Sequence, residues 1–276
     1  MKLAGLLLVC AAALLAQDDG EKVTVPLHDP TRPAQVRAHL MMGGITVRGA
    51  DRKDVLVEVR AGERDDHEER RERRHTTRSA EGMKRLDLSG SAGLDITEEE
   101  NRVNIKTSSW NRPTDLVITV PRQSSLQLKC MNDGDINVEG IDGEIDADNL
   151  NGKVTLRNVS GSVVAHSLNG SVLVTLDRID AAKPMSFSTL NGDIDVTLPD
   201  NVRANVRMKT DNGDIYSDFD VKLDSGTRFT PSASGHQADG TYHLHLDRTL
   251  HGTINGGGPE FQFTSFNGQI YIRKRK

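Results

Sequence analysis

Three histidines near the end of the chain, His243, His245 and His251, are the most direct opening for metal chemistry. In "YHLHLD" His243 and His245 fall two apart, so on a strand they share one face, opposite Leu244 and Leu246, and two imidazoles so placed can share an ion. The pattern offers no third ligand, so the sequence assigns no metal site. A second set, Asp193, Asp195, Lys209 and Asp214, supplies the acids and base that a polysaccharide lyase or glycosidase projects from one outer strand face. A sugar groove also wants aromatic platforms, and one Trp, three Tyr and six Phe supply few. Asp193 and Asp214 each follow a glycine that an asparagine precedes, Asn191 and Asn212. Stacked in register, the four side chains would make an oxygen-rich corner of the kind that holds calcium weakly. The favoured expectation is two screened surface acids with no ion. Cys130, in "SLQLKCM", alternates with polar residues alongside Leu126 and Leu128 and reads as a small core residue on a strand. With no histidine placed beside it, it is a weak nucleophile. No P-loop, dinucleotide fingerprint, zinc spacing or nucleophile elbow occurs. The expectation is therefore a non-enzyme with no catalytic, cofactor-binding or metal residue.

The elements that would position these side chains are set by a repeat. Glycines fall at 134, 143, 152, 161 and 170, nine apart, and then at 192 and 213. Counted from each glycine, apolar residues recur two, four and seven positions on: Ile136, Val138, Ile141; Ile145, Ala147, Leu150; Val154, Leu156, Val159; Val163, Ala165, Leu168. "NLNGKVTL", "SLNGSVLV" and "TLNGDIDV" show the unit, and Asn-Gly is also the strongest short-range signal for a hairpin turn. A hairpin meander would keep strict alternation along each strand. The parity break between four and seven, repeated in each half, instead predicts a repeated corner and a chain wound into a solenoid. Asn precedes Gly only in alternate units here, so the true period is eighteen residues. One such coil cannot offset its ordering entropy, and several must stack with covered ends. The residues one after glycine, Asp135, Glu144, Lys153, Ser162, Ser171, Asp193 and Asp214, interrupt any sustained calcium ladder with Lys and Ser.

The signature reappears at both ends, with Ile45, Val47 and Ala50 after Gly43 and with Ile270 and Ile272 after Gly268. Between 51 and 120 plain alternation, as in "DVLVEVRA", "RVNIKT" and "DLVITVP", predicts longer strands along one side of the solenoid. Phe261, Phe263 and Phe266 are expected to close off the apolar core near its end. The expected fold class is all-β: a single-domain parallel β-solenoid, β-helix-like, with about 18 to 22 residues per coil and longer flanking strands in the N-terminal part.

Composition sets the compartment and narrows the partners. Hydrophobic residues are 36 % and aromatics 4 %, with 25 glycines, which suits many short Ile, Val and Leu strands. The net charge is −5 with both signs mixed, so no field favours nucleic acid. "MKLAGLLLVCAAALLAQDDG" has an early Lys, an apolar stretch and small residues before a polar break, the layout of a secretory signal peptide and too short to span a bilayer comfortably. Residues 1–16 are expected to be removed, with the mature chain starting between Leu14 and Asp18. Val9 spoils the small-residue site before Cys10, so no lipid anchor is expected. Cleavage leaves Cys130 as the single cysteine, and no intramolecular disulfide is possible. Residues 63–85, "ERDDHEERRERRHTTRSAEGMKR", carry seven acids and eight bases and almost no apolar group, and are read as a solvated charged loop. This gives a signal peptide at 1–16, an N-terminal β part of the solenoid at 17–120, and a repeat region at 121–276.

"DLVITVP" leading into the repeats, "MSFSTLNGDIDVTLP", "DNGDIYSDF" and the terminal "NGQIYI" resemble the bacterial putative-adhesin family, a domain of unknown function with a β-strand repeat, over residues 36 to 276. The resemblance implies an exported β-solenoid and carries over no catalytic residue. The leading function is a non-catalytic, adhesin-like protein of the cell envelope or surface, binding through an extended strand face. It would be periplasmic, outer-envelope-associated or extracellular, with no transmembrane span in the mature chain. Its partner would be an envelope protein or a surface glycan, without nucleic acid or cofactor. A sensor or accessory subunit of an envelope-stress or transport system, docking through 63–85, is the alternative, and a polysaccharide-active β-helix enzyme is the third reading.

Overall fold

The parity break after each glycine is a corner, and the chain turns at it coil after coil. The computed structural model describes residues 21–61, 94–107, 113–132, 134–224, 231–234, 243–246 and 249–276, the strands at 231–234 and 243–246 by their backbone alone. In chain order the strands are β1 (Glu21–Pro26), β2 (Ala34–Met42), β3 (Ile45–Ala50), β4 (Asp54–Ala61), β5 (Leu94–Glu99), β6 (Arg102–Thr107), β7 (Thr114–Pro121) and β8 (Ser124–Asn132). Then come β9 (Ile136–Glu139), β10 (Asp142–Asn151), β11 (Val154–Asn169), β12 (Val172–Ile179), β13 (Met185–Asn191), β14 (Ile194–Leu198) and β15 (Ala204–Asn212). The last are β16 (Ile215–Ser217), β17 (Val221–Leu223), β18 (Pro231–Ser234), β19 (His243–Leu246), β20 (Leu250–Ile254), β21 (Glu260–Asn267) and β22 (Ile270–Lys274).

Twenty of these strands join in one continuous sheet folded into two faces. Face A runs β5-β6-β2-β8-β10-β11-β13-β21-β15-β20-β17. Face B runs β1-β4-β7-β3-β9-β11-β12-β14-β22-β16. The sixteen residues of β11 bend through both faces. Neighbours pair in parallel except near the ends, where β5 against β6, β1 against β4, β4 against β7, and β20 against β15 and β17 run antiparallel. Such strands cover the open edges that a parallel stack would otherwise present. The alternating strands of the N-terminal part therefore do not lie along one side: β4 and β7 extend face B, while β5 and β6 extend face A.

The order of coils in space departs from their order in the chain. Residues 34–50 lie between the strands of 102–121 and those of 124–139. Residues 260–274 lie between 185–198 and 204–217. The first coil and the last coil of the chain are thus each inserted one coil in from an end. Phe261 and Phe263 accordingly sit inside the core, with Phe263 stacked on Phe187 at 5.2 Å, and close no end; Phe266 is exposed.

Inward positions are Ile, Val, Leu, Ala and Phe on both faces, as the two-and-four rule requires, including Ile136, Val138, Val154, Leu156, Val163 and Ala165. The seventh position divides the two halves. Ile141 and Val159 are buried, but Leu150 and Leu168 are not inward as the repeat suggested: alternation simply continues along face A, so Asn149 and Ser167 are fully buried and the leucines lean outward. A strand has no other option, since its side chains alternate.

Candidate functional site

Each Asn-Gly corner is built from three stacked ladders. In the innermost ladder an inward side chain donates to the corner glycine's carbonyl in the preceding coil: the buried Ser167 Oγ to Gly152 O at 2.9 Å, Thr189 Oγ1 to Gly170 O at 2.8 Å and Ser265 Oγ to Gly192 O at 3.2 Å, and the half-buried Thr210 Oγ1 to Gly268 O at 3.0 Å. Asn149 Nδ2 does the same for Gly134 O at 2.9 Å, and the Cys130 thiol for Gly43 O at 2.9 Å. Cys130 is therefore a core residue with a structural donor role. A corner carbonyl turned away from the strand ladder needs such a partner, because a buried acceptor without one costs about 1–3 kcal/mol. The glycines themselves stack in contact: a Cβ at Gly192 would overlap the Gly170 carbonyl, and one at Gly268 the Gly192 carbonyl.

Asn149 is the imperfect member, because its Oδ1 is buried and finds no partner among the described residues. Threonine, which fills the same ladder position at 189 and 210, keeps a donor for the Gly134 carbonyl and removes the orphan, giving up only the longer 3.3 Å bond to Lys153 O. Asn149→Thr is expected to stabilise the protein by about 1 kcal/mol, read as a thermal midpoint higher by about 2–4 °C; a lowered midpoint would contradict this account.

The second ladder is a row of asparagine side chains. Nδ2 of Asn151 donates to Oδ1 of Asn132 at 3.1 Å, and the links Asn169 to Asn151, Asn191 to Asn169, Asn267 to Asn191 and Asn212 to Asn267 follow at 2.8 Å each. The third ladder holds the residues one after glycine. Asp135 Oδ1 accepts from Lys153 N at 2.8 Å, Asp193 Oδ1 from Gln269 N at 2.8 Å, and Gln269 Oε1 from Asp214 N at 2.8 Å. Gln269 thus separates Asp193 from Asp214, because the last coil of the chain is inserted between theirs. The two acids do not stack on each other, and Asp193 serves as a backbone acceptor. Millimolar calcium is expected to leave the thermal midpoint unchanged; a rise abolished in the Asp193→Asn, Asp214→Asn double variant would show a cation site at this corner.

The other sequence candidates separate as well. Asp195 lies in β14 on face B and Lys209 in β15 on face A, while Asp193 and Asp214 sit at the corner between the faces, so the four do not share one strand face. Asp195 instead forms a two-point ion pair with Arg273 Nε at 2.8 and 2.9 Å, which holds the guanidinium's pKa above its usual range. Arg273 lies over the Tyr271 ring at 5.0 Å, and Tyr271 stacks on Tyr216 at 5.3 Å. The Asp214 carboxylate, then burial, raises the Tyr216 phenol. His251 lies in β20 opposite Arg207, while His243 and His245 lie in β19, paired with β18, and their side chains are outside the described residues, as are residues 63–85 and 1–16. Among the described residues no group of three or more His, Cys, Asp or Glu converges to hold a metal ion, and no helix is long and apolar enough to cross a membrane.

Outside the corner, face A carries a feature the sequence reading misplaced. The residue before each ladder asparagine points outward, and register brings Met131, Leu150, Leu168, Leu190 and Phe266 into line, with Met41, which precedes Met42 opposite Asn132, beside them. Met131, Leu190 and Phe266 are 37, 40 and 46 % exposed, and the others half-buried. Five steps of strand spacing make this apolar ridge about 24 Å long. Asp211 ends it in the next coil. Away from the ridge, toward the starts of β2, β8 and β10, two adjoining shallow grooves of ≈ 490 Å³ each share Ser125, Glu144 and Ser162. In the first of them Arg178 pairs with Asp142 at 2.6 Å, and Lys183 with Glu144 and Asp180; the second also holds Arg37 and Asp146. The Glu144 hydrogen bond holds the Lys183 pKa above its usual value.

This stacked arrangement of corner and faces has a family counterpart. Residues 124–255 match the family described as Toastrack DUF4097. The Toastrack match opens at the first residue of β8 and ends just after β20, so it takes in the ladder residues from Cys130 to Asp214 but not those that the inserted coils of 34–50 and 260–274 supply. The resemblance to the putative-adhesin family and the all-β solenoid fold expected from the repeat both hold. No curated protein matches the sequence. Two solved structures are similar to the whole chain: a protein described as a "putative cell adhesion protein" from Clostridium sporogenes, with a TM-score of 0.47, 9 % identity and coverage of 93 % of this chain and 100 % of that one; and a "putative adhesin" from Bacteroides fragilis, with a TM-score of 0.37, 11 % identity and coverage of 94 % and 98 %.

Proposed function

We propose that the chain is an exported, non-catalytic, adhesin-like β-solenoid of the cell envelope or surface that binds a protein partner through the outer side of face A. The observation that carries this reading is the ridge from Met41 to Phe266. Six coils present Met, Leu or Phe at one outward position, and soluble surfaces keep such contiguous apolar features mainly for contact. A partner is a protein rather than a glycan because the ridge offers aliphatic side chains and a single phenylalanine, where a sugar wants aromatic platforms among polar groups. Export rests on the leader-like residues 1–16, ahead of a β part at 17–120 and a repeat region at 121–276.

Two measurements test this. A pull-down from intact envelope with the wild-type chain is expected to capture a partner that the Leu190→Ser, Phe266→Ser variant loses, since both side chains are exposed and their replacement spares the core. Equal capture by both would overturn the ridge as the contact. Capture that is instead lost on removing 63–85 would favour a docking arm of a sensor or accessory subunit, and turnover of a glycan panel would favour an enzyme. The intact mass of the envelope form is expected to show a start between Leu14 and Asp18; a diacyl or triacyl mass on Cys10 would refute that.

A further inference from the structure

We infer that Asn212 is a site of spontaneous deamidation, the one Asn-Gly corner of the ladder that the solenoid leaves chemically open. Asn-Gly occurs at Asn151, Asn169, Asn191, Asn212, Asn255 and Asn267. In such a pair the glycine amide nitrogen can attack the asparagine Cγ. A new N–Cγ bond forms, the Cγ–Nδ2 bond breaks, and the glycine proton leaves with ammonia. Water then opens the succinimide to aspartate or isoaspartate at that position. The reaction needs a glycine N–H that is not already donating and a side-chain amide free to turn toward it.

Four of the five ladder sites meet neither condition. The glycine N–H is spent on the next coil's asparagine carbonyl: Gly152 to Asn169 at 3.0 Å, Gly170 to Asn191 at 2.9 Å, Gly192 to Asn267 at 2.9 Å and Gly268 to Asn212 at 3.1 Å. Their asparagines are also held at both ends, Nδ2 donating to the coil before and Oδ1 accepting from the coil after. Asn212 belongs to the last coil of the stack. Its Nδ2 donates to Asn267, but no next coil supplies a donor to its Oδ1 or an acceptor to the Gly213 N–H among the described residues, and both residues are exposed. Asn255 is the remaining pair; its glycine N–H is likewise unspent, yet its amide is fixed by Val202 O at 2.7 Å and Asp200 O at 3.4 Å.

Conversion adds a carboxylate beside Asp211 and Asp214 and removes the donor that ties the last coil to Asn267. The modification therefore loosens the end of the stack from the outside. The full chain, held folded in mildly alkaline buffer and sampled over days, is mapped by peptide mass and by enzymatic isoaspartate labelling. Position 212 is expected to convert about tenfold faster than 151, 169, 191 and 267, the factor that one retained hydrogen bond supplies, and faster than 255. In urea the six pairs are expected to converge on similar rates. Asn212→Gln keeps a ladder amide but cyclises slowly, and is expected to abolish the early isoaspartate signal. Equal rates at all ladder positions of the folded chain, an earlier conversion at any other pair, or an early signal that survives Asn212→Gln would each overturn the assignment.

Discussion

Truncation after Pro259 is expected to abolish cooperative folding, although it removes only the last seventeen residues of the chain. The reason lies in the order of coils. β21 pairs with both β13 and β15, and β22 with both β14 and β16, so the deletion takes out an internal coil and leaves two unmatched stacking surfaces. Phe261, Phe263, Ile270 and Ile272 are at most 1 % exposed. Losing four such side chains forfeits about 6–12 kcal/mol of burial, which is comparable with the whole stability of a domain. The contrasting deletion is β1, which lies at the end of face B and, among the described residues, pairs with β4 alone. Removing residues through Pro26 is expected to lower the thermal midpoint while leaving a single sharp transition. Circular dichroism melts of the two truncations decide the matter: a folded chain that stops at 259, with a midpoint near wild type, would mean that the coils stack in chain order after all.

The same insertion explains where sequence reasoning succeeded and where it failed. Repeat period, solenoid winding and the inward role of Ile136, Val154 or Val163 are legible because each depends on residues within one coil, where alternation and the corner glycine act locally. The position of 34–50 and 260–274 depends on pairings between residues far apart in the chain, and identical corner signatures such as "LNG" and "FNG" fit any neighbouring coil equally well. Nothing in the composition of residues 260–274 distinguishes an internal coil from a last one, apart from Phe263, whose ring finds its match in Phe187. That error carried into the candidate corner, where Gln269 was not expected between Asp193 and Asp214. The misplaced leucines have a different origin. A rule that sends apolar residues inward overrides strand alternation at Leu150 and Leu168, but Asn149 and Ser167 can be buried because each has a corner carbonyl to serve. The signal was present in the sequence: an apolar residue before nearly every corner asparagine, with a small polar residue before it, is a ridge beside a buried donor ladder.

Val154→Asp and Val172→Asp are expected to unfold the protein, while Lys153→Ala and Ser171→Ala leave it folded. The pairs differ by one position along the strand, and the side-chain alternation of a strand turns that single step from core into solvent. Val154 and Val172 have no exposed surface, and they pack in one column with Ile136 before them and Ile194 after them. That column holds no hydrogen-bond donor, so a carboxylate placed in it is unpaired and costs several kcal/mol as long as it is ionised. Lys153 is exposed, and its alanine variant gives up only side-chain contacts with water. Ser171 accepts a 3.3 Å bond from Asp193 N at an exposed corner, a loss of about 1 kcal/mol or less. The charge can be separated from the change of shape by pH. Burial raises the carboxyl's folded-state pKa above its unfolded value of about 3.9, so the penalty is smallest below that value and grows as pH rises through the window between the two. Thermal melts of the two aspartate variants should therefore recover part of their stability in acid relative to wild type, and the alanine variants should not. Equal midpoints for the two classes at neutral pH would place the residue after glycine inside and invert the register of face B.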